Sequence, residues 1–279
     1  MHTATHLRIR RLLLVGSAAI LPPAWAGCGP SVWVDARERF DLSADGVDTL
    51  AVRTHNGAIT VSAGEAGTDR IVVEAAKRAG GRDETQARAC LDALRITTEK
   101  TGSTQNVGWS LAEARRSDWG VQVAFEITVP PRLAVRARSH NGRVTATGVG
   151  GDCDLGTHNG AVVARTDSPK LLVETHNGPV TVESPASQVR LCTHNGVIRA
   201  RLVAAGELAG LISSHNGAVG LHLGPRTVTH LDCSTRNGSL RCSRELAGMT
   251  VGKGGLSGRL GEGQARLTVS THNGSVRID

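Results

Sequence analysis

Aromatic residues are scarce in this sequence. Its 279 residues include no Tyr and six aromatics in all: Trp25, Trp33, Phe40, Trp109, Trp119 and Phe125. Residues 126–279 contain none, so that stretch builds its core from Val, Ile, Leu and Ala. It also offers no aromatic rings on which sugars or bases would stack. No apolar run is long enough to cross a bilayer. The six cysteines (Cys28, Cys90, Cys153, Cys192, Cys233, Cys242) include no Cys-x-x-Cys pair and no zinc-ligand spacing. Nucleophile-elbow, His-Glu-x-x-His, phosphate-loop and dinucleotide motifs are all missing. So is any basic run: 32 Lys and Arg against 25 Asp and Glu give +7, dispersed along the chain, and this charge alone does not point to nucleic acid. An apolar content of 39% excludes a disordered chain.

What is present begins with an export signal. Arg8, Arg10 and Arg11 precede an apolar run from Leu12 to Leu21, and Ala24-Trp25-Ala26 fits a small-x-small cleavage site, so residues 1–27 read as a signal peptide. Ala26-Gly27-Cys28 matches the end of a lipobox, although Trp25 stands where an aliphatic residue is usual. Two outcomes follow: a protein lipidated at Cys28 and tethered to a membrane, or a soluble one cut after Ala26. Removing residues 1–27 removes three Arg and no acid, which leaves +4.

The informative feature is a repeat. The tetrapeptide [Thr/Ser]-[His/Arg]-Asn-Gly occurs eight times, with its asparagines at Asn56, Asn141, Asn159, Asn177, Asn195, Asn216, Asn237 and Asn273. Several are 18 or 21 residues apart. The final step of 36 is two eighteens, with a degenerate copy around Val251, Gly255 and Arg259 expected in the gap. Three residues after each Asn stands Ile59, Val144, Val162, Val180, Ile198, Val219, Leu240 or Val276. Four before stands Val52, Ala137, Leu155, Val173, Leu191, Ile212, Cys233 or Val269. Polar residues fill the offsets between, which is the alternation of two strands meeting at a corner. A chain of Asn-Gly hairpins has the same local signature. The constancy of each offset favours parallel coils, in which equivalent positions pile into columns about 4.8 Å apart.

The expected fold is all-β: a single-stranded parallel β-solenoid of 18–21-residue coils with a small β-rich N-terminal cap carrying one helix. Its divisions are a signal peptide (1–27), a tether (28–46), a cap with the first Asn-Gly corner (47–133) and the solenoid repeats (134–279). In the cap, a strand is expected at Ile71–Ala76, an amphipathic helix at Asp83–Leu94, and a strand from Trp119 to Val129. At each corner, Gly is expected to take positive φ, and the Asn amides to point inward as a hydrogen-bonded ladder through Asn141, Asn159, Asn177, Asn195, Asn216, Asn237 and Asn273. Cys153, Cys233 and Cys242 fall at inward offsets, and Cys192 at an outward one.

Ile127-Thr128-Val129-Pro130 followed by successive Asn-Gly corners resembles the bacterial putative-adhesin β-strand-repeat family, envelope proteins of the toast-rack type. The resemblance covers about residues 48–279 and implies an envelope protein, often lipid- or membrane-anchored, with some relatives in stress-sensing systems. It brings no catalytic residues. The sequence departs from the family in placing His almost uniformly before the Asn.

That His column comprises His55, His140, His158, His176, His194, His215 and His272, with Arg236 in the remaining copy. Stacking is expected at least from His140 to His215. Two readings stand: metal capture or pH sensing by adjacent imidazoles, and a surface residue copied by repeat duplication. If every imidazole were protonated, like charges about 5 Å apart would oppose one another by about 1 kcal/mol per neighbour pair in water. Arg136, Arg138, Arg143, Arg190, Arg199, Arg241 and Arg277 are expected to flank the strip, either meeting anionic polymers or headgroups or only solvating the face.

Catalysis is not expected. The outward acids Asp154, Glu174 and Asp232 are scattered over coils, and Ser214-His215-Asn216 alternate in and out rather than converging. The expected function is a non-enzymatic envelope protein, an adhesin or binding scaffold without cofactor. Its partner is an envelope macromolecule, protein or anionic polymer, and not nucleic acid, with membrane association through the lipid anchor. Alternatives are an envelope-stress sensor or accessory domain binding a membrane partner, and a metal-binding periplasmic protein.

Overall fold

The computed structural model of the protein describes residues 30–112 and 119–279. The signal peptide, Cys28 and its lipidation lie outside the described residues. The described residues are almost entirely β, with one helix. The N-terminal part comprises β1 (Val32–Ser43), β2 (Thr49–Asn56), β3 (Ile59–Ala63), β4 (Arg70–Gly81), α1 (Glu84–Ala93), β5 (Leu94–Thr101), β6 (Thr104–Leu111) and β7 (Gly120–Val129). Strand pairs then follow, one on each side of an Asn-Gly corner: β8 (Ala134–Asn141) and β9 (Val144–Thr147), β10 (Cys153–Asn159) and β11 (Val162–Arg165), β12 (Lys170–Asn177) and β13 (Val180–Ser184). The series continues with β14 (Gln188–Asn195) and β15 (Ile198–Leu202), β16 (Ala209–Asn216) and β17 (Val219–Leu223), and β18 (Thr229–Asn237) and β19 (Leu240–Cys242). Last come β20 (Ala247–Gly252), β21 (Gly255–Leu260), β22 (Arg266–Asn273) and β23 (Val276–Ile278).

These strands form two mixed sheets, ordered β1-β4-β7-β3-β9-β11-β13-β15-β17-β23-β19 and β20-β21-β18-β22-β16-β14-β12-β10-β8-β2-β6-β5. Between the ends, neighbours are parallel and the repeat is in register: Leu155 faces Val173 and Asn159 faces Asn177, for example. The columns four before and three and five after each Asn form the core between the sheets, fully buried except for Leu240 and Cys242 on the edge strand β19. At both ends the pairing turns antiparallel, so the fold is a parallel coil stack within mixed sheets rather than a purely parallel solenoid. At the N-terminal end β1, β4 and β7 extend one sheet and the β5–β6 hairpin the other.

The cap holds all the aromatic residues of the described chain. Phe40, Trp119 and Phe125 are buried, and Arg78 lies 5.0 Å over the Trp33 ring. The helix starts one residue inside its cap, Asp83, whose side chain accepts from the Gln86 N–H at 2.8 Å. Residues 32–43 are not a tether: they form twelve pairs with β4. Glu38 interrupts the alternation Val34-Ala36-x-x-Phe40-Leu42 that marks this strand, and the structure neutralises it with Lys77 Nζ at 2.7 Å.

The C-terminus departs further from expectation. Spatial order is not sequence order: the final pair β22–β23 lies between β16–β17 and β18–β19. Around Val228 the flanking coils touch directly, with Leu208 N–H bonded to Val228 O (2.9 Å) and Val228 N–H to Gly206 O (2.8 Å). Beyond it they part like a fork, and His230 N–H bonds instead to Ala265 O at 2.7 Å. The expected degenerate coil around Val251, Gly255 and Arg259 is an antiparallel β20–β21 hairpin laid on the outer edge of β18. Those residues lack the corner tetrapeptide and so cannot make the contacts that lock a coil.

Candidate functional site

Each position of the tetrapeptide has one task, repeated down the stack. The Thr or Ser hydroxyl is buried and donates to the corner Gly carbonyl of the adjacent coil: Ser139 to Gly57, Thr157 to Gly142, Thr175 to Gly160, Thr193 to Gly178, Ser214 to Gly196, Thr271 to Gly217 and Thr235 to Gly274, at 2.8–3.1 Å. The Asn amides form an unbroken ladder. Each Nδ2 donates to the next Oδ1 at 2.7–2.8 Å, through Asn237, Asn273, Asn216, Asn195, Asn177, Asn159 and Asn141 to Asn56, whose Nδ2 ends on Val121 O at 3.2 Å. The ladder runs along the exposed rim, not inward as expected, because the corner swings the chain from one sheet to the other at this residue.

The corner Gly is required for close approach rather than for positive φ. A Cβ on Gly178 would lie 1.9 Å from Gly160 O, and the other corners meet their neighbours equally closely. Among the corner glycines only Gly57, at φ 150°, lies in the left-handed half of the map.

The remaining position carries the imidazoles. His55, His140, His158, His176, His194, His215 and His272 form one continuous stack, with ring centroids 4.6–4.9 Å apart and planes within 2–12° of parallel. The stack is longer than the expected His140–His215 run, because inserting β22 places His272 directly on His215. Arg236 follows at the end, beside His272 in the register of β18 and β22. Six of the seven imidazoles are exposed and His272 is half-buried. None makes a hydrogen bond or ion pair with another described residue.

Beside the column runs a shallow trough that sequence reasoning did not single out. It is floored by Glu174, Cys192, Ser213 and Ser270 and edged by His194, His215 and His272, and a second depression continues it past Arg138, Gly156, His158 and His176. Part of the signal was available: three residues before the Asn, five of the eight copies carry a small residue (Gly156, Cys192, Ser213, Ser234 and Ser270), and the others carry Arg53, Arg138 and Glu174.

The stack does not present a chelating pair. Nitrogen lone pairs lie in the ring plane, so parallel rings aim them side by side, not at a common point. Sharing a metal with N–metal bonds of about 2.0–2.1 Å would require rings to turn out of the stack. Among the described residues, no group of three or more His, Cys, Asp and Glu surrounds a metal-sized point.

The arginines do not form one strip. Arg136, Arg138 and Arg190 share the imidazole face, whereas Arg199, Arg241 and Arg277 lie on the opposite sheet and Arg143 at the rim between them. Several are matched: Arg138 with Asp154, Arg190 with Glu174 (3.1 Å) and Arg277 with Asp279 (3.0 Å). The Glu174 hydrogen bond raises the Arg190 pKa, and the Arg277 hydrogen bond lowers that of Asp279. Asp232 forms ion pairs with Arg266 Nε at 3.4 Å and with His230 Nε2 at 3.7 Å, so the three outward acids hold basic partners on separate coils. Ser214 Oγ points into the stack and His215 out of it.

Burial pushes the thiols of Cys153 and Cys233 up to about 12, and that of Cys192 also upward, which suppresses thiolate formation. Cys153, Cys192, Cys233 and Cys242 are not in disulfides.

No protein-family model and no curated protein matches the chain. Solved structures that resemble it include a putative cell adhesion protein from Clostridium sporogenes, 8% identical over 88% of this chain and 98% of that one, with a TM-score of 0.38. A putative adhesin from Bacteroides fragilis is 13% identical over 91% and 100%, with a TM-score of 0.42. Another from Parabacteroides distasonis is 9% identical over 90% and 99%, also at 0.42.

Proposed function

We propose that this chain is a non-enzymatic cell-envelope protein: an adhesin or binding scaffold whose working surface is the imidazole face of the stack. The observation that carries this reading is a division of labour among polar columns. The hydroxyl and amide columns are hydrogen-bonded within the protein, whereas the imidazole column has no hydrogen bond or ion pair to another described residue and is presented to solvent on a regular support. Such a support suits binding of an extended partner better than chemistry at a point. Among the described residues, the outward acids Asp154, Glu174 and Asp232 lie on separate coils and each holds a cation, and burial raises the pKa of the Cys153, Cys192 and Cys233 thiols, which makes them poor nucleophiles.

Export rests on residues 1–27, and attachment to the membrane on Cys28. Labelling cells with a palmitate analogue should mark the wild-type protein and not Cys28→Ala; equal labelling of both would overturn the anchor. The scaffold reading is tested by in-cell photocrosslinking from position 176 on the imidazole face and from position 163 on the opposite sheet. Adducts with envelope components are expected from position 176 and not from 163. Adducts from neither position, or from 163 alone, would overturn the reading.

A further inference from the structure

The column has a definite geometry, and that geometry selects a ligand. Six consecutive ring-to-ring steps of 4.6–4.9 Å fix seven ring edges in single file. An exposed imidazole that gains a proton becomes a donor at both nitrogens, so the acidified column is a straight row of cationic donors at the coil spacing. Arg236 adds a guanidinium at the end of the row. We propose that this row binds a linear polyanion of the uronate-polysaccharide class and that protonation of the imidazoles switches the binding on. The proposal rests on the scaffold reading and names its ligand.

A uronate chain advances by about one coil spacing per sugar, so its carboxylates fall in step with every coil or every second coil. Each carboxylate would accept a charge-assisted hydrogen bond from a ring N–H. The trough beside the rings, floored by Cys192, Ser213 and Ser270, gives the sugar rings room without demanding aromatic platforms. A bilayer fits less well: of the arginines flanking the column, Arg138 and Arg190 are paired with Asp154 and Glu174, and the exposed large hydrophobic residues among those described, Met249 and Val251, lie on the β20–β21 hairpin rather than beside the rings.

The charged and titratable groups facing the column come from several strands. Arg53, Arg138, Glu174 and Cys192 stand in the adjoining column, Arg136, Asp154, Arg190 and Asp232 one column further, and Arg143 at the rim. Asp154 and Glu174 are engaged by Arg138 and Arg190. No carboxylate among the described residues pairs with a column imidazole, so the polymer meets no internal competitor. A bound polyanion and the ring protons stabilise each other, so binding must take up protons and must weaken with salt.

The test is calorimetric titration of the exported chain with polymannuronate of defined length at about pH 5.5 and about pH 8, on either side of the range in which histidine side chains in general exchange a proton. The expected result is binding at least tenfold tighter at the lower pH, with proton uptake seen as a dependence on buffer ionisation enthalpy. His158→Gln/His176→Gln/His194→Gln should lose at least tenfold at the lower pH while circular dichroism shows the fold intact. Arg199→Gln, on the opposite sheet, should bind as wild type. Equal affinity at both pH values, an unaffected triple variant, or binding to anionic vesicles but not to polymannuronate would overturn the proposal. If photocrosslinking at position 176 captures a protein while polymannuronate fails to bind, this inference falls and the scaffold reading stands.

Discussion

At the scale of the residue, the repeat is a set of close contacts between equivalent atoms, and its tolerance to change follows from which atoms those are. Gly178→Ala would drive a methyl to within 1.9 Å of Gly160 O, a backbone atom fixed by the neighbouring coil. It should destabilise by more than about 3 kcal/mol in urea denaturation or prevent folding. Gly252→Ala meets nothing within 4 Å and should leave the midpoint nearly unchanged. The buried thiols set an alkaline limit. In the unfolded chain Cys153 and Cys233 release a proton from about pH 9, whereas the folded chain holds it to about 12. Their contribution is therefore whole below pH 9 and drains as pH rises towards 12. Near pH 10.5 the loss should be about 1–2 kcal/mol per thiol, and Cys153→Ala/Cys233→Ala should flatten the decline. No tyrosine ionises over the same range to mask it.

At the scale of the element, each coil is held by its ladders as much as by its own hydrogen bonds. Asn177 sits mid-ladder, donating to Asn159 and accepting from Asn195 at 2.8 Å each. Asn177→Ala removes both bonds and should cost about 1–2 kcal/mol in urea denaturation, whereas the terminal Asn237→Ala, which only donates, should cost about half as much. The sequence showed the core columns, the Thr-His-Asn-Gly corners and the cap helix directly, because each places the same chemistry at a fixed offset or period. It concealed the first strand, since Glu38 breaks the apolar alternation and only the fold brings Lys77 to meet it. It misplaced the reason for the corner glycines, because close approach between coils and positive φ leave the same residue in the sequence. The imidazole column was legible as an offset. Its lack of internal partners was not, because that depends on what the neighbouring coils present.

At the scale of the whole molecule, the coils are interchangeable, and this explains why their order could not be read. The corner at Asn273 fits onto Asn216 as well as the corner at Asn237 would, since every coil offers its neighbour the same amide, hydroxyl and Gly carbonyl. The structure resolves the ambiguity by inserting β22–β23 into the fork beyond Val228, which leaves β18–β19 outermost under the β20–β21 hairpin. The spatial order of the coils therefore differs from their order along the chain, so the stack is not completed by adding each coil to the one that precedes it in sequence. The same insertion makes the imidazole column continuous through His272 and puts Arg236 at its end. This arrangement is tested most directly by cysteine crosslinking in a Cys192→Ser background, read by mass spectrometry. His215→Cys/His272→Cys places two thiols on adjacent coils, within disulfide reach, and should crosslink on mild oxidation. His215→Cys/Arg236→Cys separates them by about twice the 4.8 Å strand spacing and should not. Crosslinking of the second pair without the first would show the coils stacked in sequence order and would break the column at His215.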